Sequence, residues 1–206
     1  MRFRTTLGSG LVAAGQGNTH FSLFLKNGRL NLHSSLIGVY DGIYLGEKLN
    51  DTAWHKVYVA VNTSHLTLGI NDKLQATHQI NQVGENDTTF FNTLIGGTTR
   101  EHQVLSSSAP NFTGCVQDIV VNSMKITEED FKEENRNLNA IEEYNTASGC
   151  DRQEQCNPNP CVNGGTCRDL WKEYSCQCQR PFLGASCQYS KYLNRGFLKA
   201  TQLFGI

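Results

Sequence analysis

The chain has 206 residues, eight cysteines and a formal net charge of −1 at pH 7. Residues 1–150 hold 11 Lys and Arg against 15 Asp and Glu, a net charge of −4, and residues 151–206 hold 7 against 4, a net charge of +3. Neither part contains a run of basic residues, which disfavours nucleic acid as a partner and leaves no contiguous heparin-binding patch in the sequence. The run of about 18 apolar residues that a membrane span requires is also missing from the sequence.

Alternating apolar residues predict short strands in residues 1–150. The stretch "FSLFLKNGRLNLH" has the pattern of a β-hairpin that turns at Asn27-Gly28. The alternating positions are Phe21, Leu23, Leu25, Leu30 and Leu32 in this hairpin, then Val57, Val59 and Val61, then Leu66, Leu68 and Ile70, and finally Val116 and Ile119. Short strands joined by turns of Gly, Asn and Asp indicate an antiparallel sandwich. Helical periodicity appears only near residues 127–143, where Thr127 and Asp130 form a predicted capping box.

Four stretches in this region, "FSLFLKNGRLNL", "LNDTAWHKVYVAVN", "LIGG" and "FTGCVQDIVVN", resemble successive signatures of a laminin G-like domain. The resemblance implies a two-sheet jelly-roll sandwich over residues 1–150, with Trp54 in the core-forming strand region and a disulfide between Cys115 and Cys150. The opening strand that usually precedes "FRT" is absent from the sequence. A missing strand is expected to leave a sheet edge with unpaired backbone groups.

Six of the eight cysteines fall between Cys156 and Cys187, in a segment too short to stabilise itself with an apolar core. Six cysteines allow three disulfides and 15 connectivities. Zinc is disfavoured, because the segment has no C-x-x-C pair and no histidine follows Cys150. An oxidised framework places the protein outside the cell.

The spacing C-x4-C-x5-C-x8-C-x-C-x8-C, with "NGG" before Cys167 and "PFLG" before Cys187, resembles an epidermal growth factor (EGF)-like module. The resemblance implies disulfides between Cys156 and Cys167, between Cys161 and Cys176, and between Cys178 and Cys187. The predicted chain is therefore mainly β, with a laminin G-like domain followed by a disulfide-stapled EGF-like domain at residues 151–188. Residues 189–206 are expected to form a flexible tail.

Sugar attachment is predicted at five positions. Four Asn-x-Ser/Thr sequons fit an extracellular glycoprotein, and the pattern C-x4-[ST]-C makes one threonine a candidate for O-linked fucose by resemblance to other EGF-like modules. These acceptors are Asn50, Asn62, Asn86, Asn111 and Thr166. The start "MRFRTTLGSG" has no apolar export signal, so the chain is expected to be a piece of a longer secreted or membrane-anchored protein.

A calcium site is the candidate metal centre. Asp169 and Tyr174 have the C-x-D-x4-Y-x-C spacing of calcium-binding EGF modules, and the resemblance adds Glu154 and Gln155 as further ligands. Arg152 stands where such modules place an acidic ligand, and a cation there opposes calcium. No cofactor is expected to be required, and the alternative interpretation of Asp169 is a structural residue of a turn.

The stretch "DLWKEYSCQCQRPFLGASC" resembles the crumbs family of apical polarity proteins, in which laminin G-like and EGF-like modules alternate. The resemblance implies part of a single-pass protein on the extracellular side of the apical plasma membrane, acting in epithelial polarity and junction organisation. Expected partners are extracellular proteins or glycans and neighbouring modules. A basement-membrane or synaptic adhesion protein of neurexin, agrin, slit or laminin type, secreted into the matrix in some cases, is the alternative.

A carbohydrate-active enzyme is a remote third hypothesis. The stretch "EEDFKE" matches the carboxylate motif E-x-D-x-x-E of some sandwich-fold glycoside hydrolases through Glu128, Asp130 and Glu133. Such carboxylates need a strand, on which positions two apart share a face, whereas this segment is predicted to be a helix. No catalytic residue is therefore predicted.

Overall fold

A computed structural model of the chain describes residues 1–38, 41–80, 84, 90–98, 110–131 and 146–191. The chain divides into two compact units, Met1–Cys150 and Asp151–Ile206. In the described part of the chain, no helix is long and apolar enough to cross a membrane.

The first unit is built from short antiparallel strands. The strands are β1 (Arg2–Arg4), β2 (Gly10–Gly17), β3 (His20–Lys26), β4 (Arg29–Ser34), β5 (Ile43–Leu45), β6 (His55–Val61), β7 (His65–Ile70), β8 (Leu74–Gln79), β9 (Phe90–Ile95), β10 (Cys115–Gln117), β11 (Val120–Val121) and β12 (Met124–Lys125). One five-stranded sheet has the order β10-β1-β6-β7-β8, and the other has the order β5-β4-β3-β2-β9. The predicted antiparallel sandwich is confirmed.

The hydrophobic core lies between the two sheets and is formed by apolar side chains that strands of both sheets turn inward. The buried core cluster is Phe3, Val12, Ala13, Leu23, Leu25, Leu30, Leu32, Ile37, Ile43, Leu49, Val57, Leu66, Leu68, Ile70 and Ile80. Trp54 does not belong to it, contrary to the expectation: Trp54 is half-buried one residue before β6, and its neighbour His55 is the buried residue. The alternation therefore starts at His55 and continues inward at Val57.

The sequence predicts an unpaired edge at the N-terminus, and the structure places β1 in a different position. Arg2 pairs with Lys56 of β6 on one side and with Gln117 of β10 on the other. Phe3, between these partners, is fully buried. β1 is therefore an interior strand, and β8 and β10 are the edges of this sheet among the described residues.

The predicted helix near residues 127–143 is only partly within the described residues. Glu128–Phe131 forms one 3₁₀ turn, and a second 3₁₀ turn spans Ser35–Ile37. The Thr127 amide donates to Oδ2 of Asp130 at 2.7 Å, which is one half of a capping box. Residues 132–145 lie outside the described residues.

The second unit contains two small hairpins. Strand β13 (Thr166–Asp169) pairs with β14 (Tyr174–Gln177), and β15 (Phe182–Leu183) pairs with β16 (Tyr189–Ser190). The second pairing extends regular structure into residues 189 and 190, which the sequence assigns to a flexible tail. Residues 192–206 lie outside the described residues.

Candidate interaction sites

A shallow groove of about 510 Å³ lies beside the β3–β4 turn. Its lining residues are Lys26, Asn27, Arg29, Asn31, Tyr44, Glu47 and Lys48. Asn27 and Gly28 form the turn with φ angles of 54° and 72°, which is the backbone that a two-residue hairpin loop needs. The turn makes Lys26 and Arg29 direct cross-strand partners.

Lys48 is distant from these two cations in the sequence, and the fold places it in the same groove. The Leu49 amide donates to the Gly28 carbonyl at 2.8 Å, which holds the neighbouring Lys48 against the turn. Glycine suits position 28 because its φ angle of 72° is rarely adopted by residues with a side chain, and because a Cβ atom there would collide with Oδ1 of Asn50. Lys26, Arg29 and Lys48, named here the cationic groove, therefore depend on one turn.

Unpaired charge and an exposed ring give the cationic groove the chemistry of an anion-binding surface. Among the described residues, Lys26, Arg29 and Lys48 have no carboxylate within 4.0 Å. Tyr44 is 46% exposed beside them. Like charges on directly opposed residues destabilise a sheet slightly, and a bound anion would remove this cost. The groove was not predicted from the sequence, although the predicted hairpin already places Lys26 opposite Arg29.

A buried histidine and a carboxylate form a second polar cluster in the first unit. Nε2 of His55 lies 2.8 Å from Oδ1 of Asp51, and Nδ1 lies 3.3 Å from Nδ2 of Asn71. The Lys56 amide donates to Oδ1 of Asn71, so the NH₂ group of the Asn71 side chain faces His55. Nδ1 of His55 is then the acceptor, and Nε2 carries the hydrogen. The His55 ring packs 5.7 Å from that of Phe3.

The His55–Asp51 pair has a structural role. Burial raises the pKa of Asp51, but hydrogen bonds from the Ala53 amide and from His55 outweigh it, so the pKa of Asp51 is lowered overall. The pair ties the loop before β6 to the start of that strand. Because both ring nitrogens have partners, His55 is already satisfied where it lies.

The eight cysteines, all within the described residues, form four disulfides. The pairs are Cys115–Cys150, Cys156–Cys167, Cys161–Cys176 and Cys178–Cys187. A Cβ atom on Gly165 would lie 2.6 Å from Sγ of Cys187, so the chain passes this disulfide only because residue 165 is glycine. Thr166, the next residue, is exposed on β13. Its hydroxyl is accessible from solvent, as a sugar acceptor must be.

The predicted calcium ligands do not converge on one point. Glu154 is exposed and its Oε2 accepts from Nδ2 of Asn157 at 3.4 Å, while the side-chain amide of Gln155 donates to the Gln153 carbonyl at 3.2 Å. Asp169 forms an ion pair with Arg152. Calcium needs six to eight oxygen ligands, and a guanidinium supplies none. These residues therefore do not fit a calcium site, and in the described chain no three His, Cys, Asp or Glu side chains are grouped as metal ligands.

The N-linked sequons occupy different environments. Asn50 is half-buried and its Nδ2 donates to the Thr6 carbonyl at 3.2 Å. Asn62 is exposed, and its Oδ1 accepts from the amides of Ser64 and His65. Asn111 is exposed and exchanges two hydrogen bonds with the backbone of Thr98. Asn86 lies outside the described residues.

The carboxylate motif that motivated the enzyme hypothesis is not on a strand. Glu128 and Asp130 belong to the 3₁₀ turn, Oε1 of Glu128 accepts from the Ser148 hydroxyl at 3.1 Å, and Oδ2 of Asp130 accepts from Thr127. The backbone and side-chain hydrogen bonds from Thr127 lower the pKa of Asp130. Glu133 lies outside the described residues. Glu128 and Asp130, held in this turn, do not share a face as residues two apart on a strand would.

Comparison with known families matches both units. Residues 3–124 match the family model of the laminin G domain, and residues 156–189 match that of the EGF-like domain. The chain belongs to the laminin G domain family. The laminin G and EGF-like domains are adhesion-type, non-enzymatic modules.

Alignments with two curated proteins extend over both units. Crumbs homolog 2 of Homo sapiens is 31% identical over 196 residues, and neurexin-4 of Drosophila melanogaster is 26% identical over 194 residues; each alignment covers 91% of this chain. The chain spans only 14% of the length of either relative. The crystal structure of the LG1-3 region of the laminin alpha2 chain matches with a TM-score of 0.50 and 15% identity, over 64% of this chain and 28% of that one, which supports the fold alone.

The chain is thus an extracellular laminin G and EGF-like protein whose extracellular region resembles that of crumbs-family proteins. Its four disulfides are chemically consistent with this compartment, because such frameworks persist where thiols are oxidised. Modules of both families mediate extracellular protein or glycan interactions.

Proposed function

We propose that the chain is a non-catalytic interaction segment of a crumbs-like cell-surface protein that acts in apical polarity and junction organisation of epithelia. The observation that carries this proposal is the match to human crumbs homolog 2, which runs through both modules in one alignment over 91% of the chain. A match to one module alone would indicate only a widespread domain type.

The location of the full-length protein tests this proposal. A tag inserted into the endogenous gene of a polarised epithelial cell should place the protein at the apical surface, close to the junctions. Depletion should spread apical markers across the lateral membrane and reduce transepithelial resistance. Staining confined to the basal matrix or to synapses would favour the neurexin-type alternative, for which the match to neurexin-4 is the supporting observation.

Within this function, we propose that the cationic groove binds an anionic extracellular ligand. Arginine presents a planar fork that suits sulfate and carboxylate groups, and lysine adds a mobile point charge. The three cations lie on a unit whose overall charge is −4, so the groove is a local positive site on an acidic surface. A ligand with several anionic groups along one edge, such as a sulfated glycan, would contact all three cations.

Retention on immobilised heparin tests the groove. The variant Lys26→Glu/Lys48→Glu should elute at clearly lower salt than wild type, because exposed charges act through a screened field. The variant Lys73→Glu/Lys125→Glu is the matched control, since it changes two exposed lysines of the same unit by the same total charge. Equal loss of retention in both variants would show that net charge alone binds heparin. Retention unchanged in the groove variant would exclude the groove as the binding site.

A further inference from the structure

Arg152 has an unusual environment for a side chain that precedes the first cysteine of an EGF-like module. Its side chain is 7% exposed and the side chain of its ion-pair partner Asp169 is 14% exposed. The Cζ atom of Arg152 lies 5.1 Å from the centroid of the Trp171 ring, within the range of a cation–π contact. Arg152 is therefore a buried cation that contacts both a carboxylate and an indole, unlike the members of a solvated ion pair on the surface.

Asp169 connects two separate pieces of backbone through the same carboxylate. Its Oδ2 accepts from the Gln155 amide at 3.0 Å, and its Oδ1 accepts from the Trp171 amide at 2.8 Å. The segment before Cys156 is thereby attached to the turn that joins β13 to β14. The ligand set implied by the resemblance, Glu154, Gln155 and Asp169, comes from the same two segments, so a calcium ion bound to it would make the same connection.

Trp171 is positioned for this contact at a backbone cost. Its φ angle is 78°, in the left-handed region that bulky residues rarely adopt, and its side chain is buried. The hydrogen bond to Asp169 and the contact with Arg152 favour that conformation. Nε of Arg152 is buried without a hydrogen-bond partner, so the cluster holds the guanidinium although one of its donors is unsatisfied.

We propose that Arg152 takes the place of calcium in this module. The guanidinium supplies the positive charge that Asp169 needs and fixes residues 152–155 against the β13–β14 turn. Calcium is excluded, because its entry would require expulsion of a buried cation that already neutralises the one carboxylate of the site. Arg152, Asp169 and Trp171, named here the arginine clamp, therefore make the local structure independent of calcium. This inference does not depend on the proposed role in polarity.

The indole N–H signal of Trp171 reports on this site in the whole secreted chain labelled with ¹⁵N-tryptophan. The chain has two tryptophans, and Trp54→Phe assigns the signals. Calcium is raised from a chelator-treated state to about 10 mM, above the dissociation constants of about 10⁻⁴ to 10⁻³ M found for extracellular modules. The wild-type Trp171 signal should not move. In Arg152→Asp, which restores an acidic residue at the family position, the signal should shift and saturate near millimolar calcium.

The substitution Asp169→Asn distinguishes a calcium response at this site from a response that arises elsewhere in the chain. The shift gained by Arg152→Asp should disappear in Arg152→Asp/Asp169→Asn. If Arg152→Asp is not secreted, Arg152→Asn supplies an oxygen donor without charge repulsion and should gain a weaker response. A saturable shift in wild type that Asp169→Asn abolishes would overturn the proposal. Absence of any calcium response in both Arg152 variants would also overturn it, because Arg152 would then not be the residue that excludes the ion.

Discussion

Replacement of Arg152 by methionine should lower the free energy of local opening of the segment before Cys156 by about 3 kcal/mol. Removal of one partner from a buried ion pair typically costs about 3–5 kcal/mol, because the remaining charge is left buried and unpaired. Asp169 keeps two amide donors, which places the expected cost at the lower end of that range. Methionine retains most of the arginine stem, so packing against Trp171 changes less than charge.

Amide hydrogen exchange measures this local cost. A loss of about 3 kcal/mol should accelerate exchange of the Gln155 and Trp171 amides roughly a hundredfold. The Val162 amide, which donates to the Ser186 carbonyl elsewhere in the module, is the internal control and should be unchanged. Asp169→Asn should partly restore protection in Arg152→Met, because it removes the unpaired charge. Equal acceleration of exchange at Val162 would show that the effect is not local. If the free-energy costs of Arg152→Met and Asp169→Asn are additive in the double variant, the two residues do not interact and the arginine clamp is refuted.

Three further predictions concern the disulfides, acid stability and glycosylation. Cys115→Ala/Cys150→Ala removes a disulfide whose cysteines have a sequence separation of 35, and it should lower the free energy of unfolding by about 4 kcal/mol. Urea titration measures this change, and an unchanged midpoint of unfolding would contradict the prediction. Asp51 has a lowered pKa in the folded state, so its stabilising effect is present above its ordinary pKa of 3.8 and disappears as the pH falls through the lowered value. Asp51→Asn should therefore be less stable than wild type at pH 6, with the difference shrinking towards pH 2, and a constant difference would argue against ionisation as the cause. Thr166 should carry O-linked fucose in protein from cells that have the transferase, and Thr166→Val should fold normally without it; glycopeptide mass spectrometry and a thermal melt check both statements.

Local elements of the fold could be predicted because their signals lie within a few residues. The turn at Asn27-Gly28 has positive φ at both positions, and its flanking strands carry apolar residues at every second position, so one short stretch specifies the hairpin. Strands β6 and β7 follow from the same alternation. Trp54 is expected in the core-forming region from the resemblance, whereas the alternation through Val57, Val59 and Val61 places residue 55 on the inward face, as the structure does.

Long-range pairing could not be predicted from these patterns. The position of β1 between β6 and β10 depends on partners more than 50 and more than 110 positions away, such as Lys56 and Gln117 for Arg2. The cationic groove depends on the loop that brings Lys48 to Gly28. Arg152 was recognised in the sequence as a charge that opposes calcium, but its pairing with Asp169 and its contact with Trp171 are visible only in three dimensions.

The two units reach stability by different means, which determines how each can respond to its surroundings. Among the described residues of the second unit, Trp171 is the one buried apolar side chain that is not a cysteine, and Arg152 covers it. Disulfides persist in an oxidising compartment, and the arginine clamp contains its own cation, so neither stabilising element requires calcium. The first unit instead holds the loop before β6 through Asp51, a carboxylate with a lowered pKa that is paired with His55. Calcium-dependent adhesion by the full-length protein would therefore have to arise outside the arginine clamp.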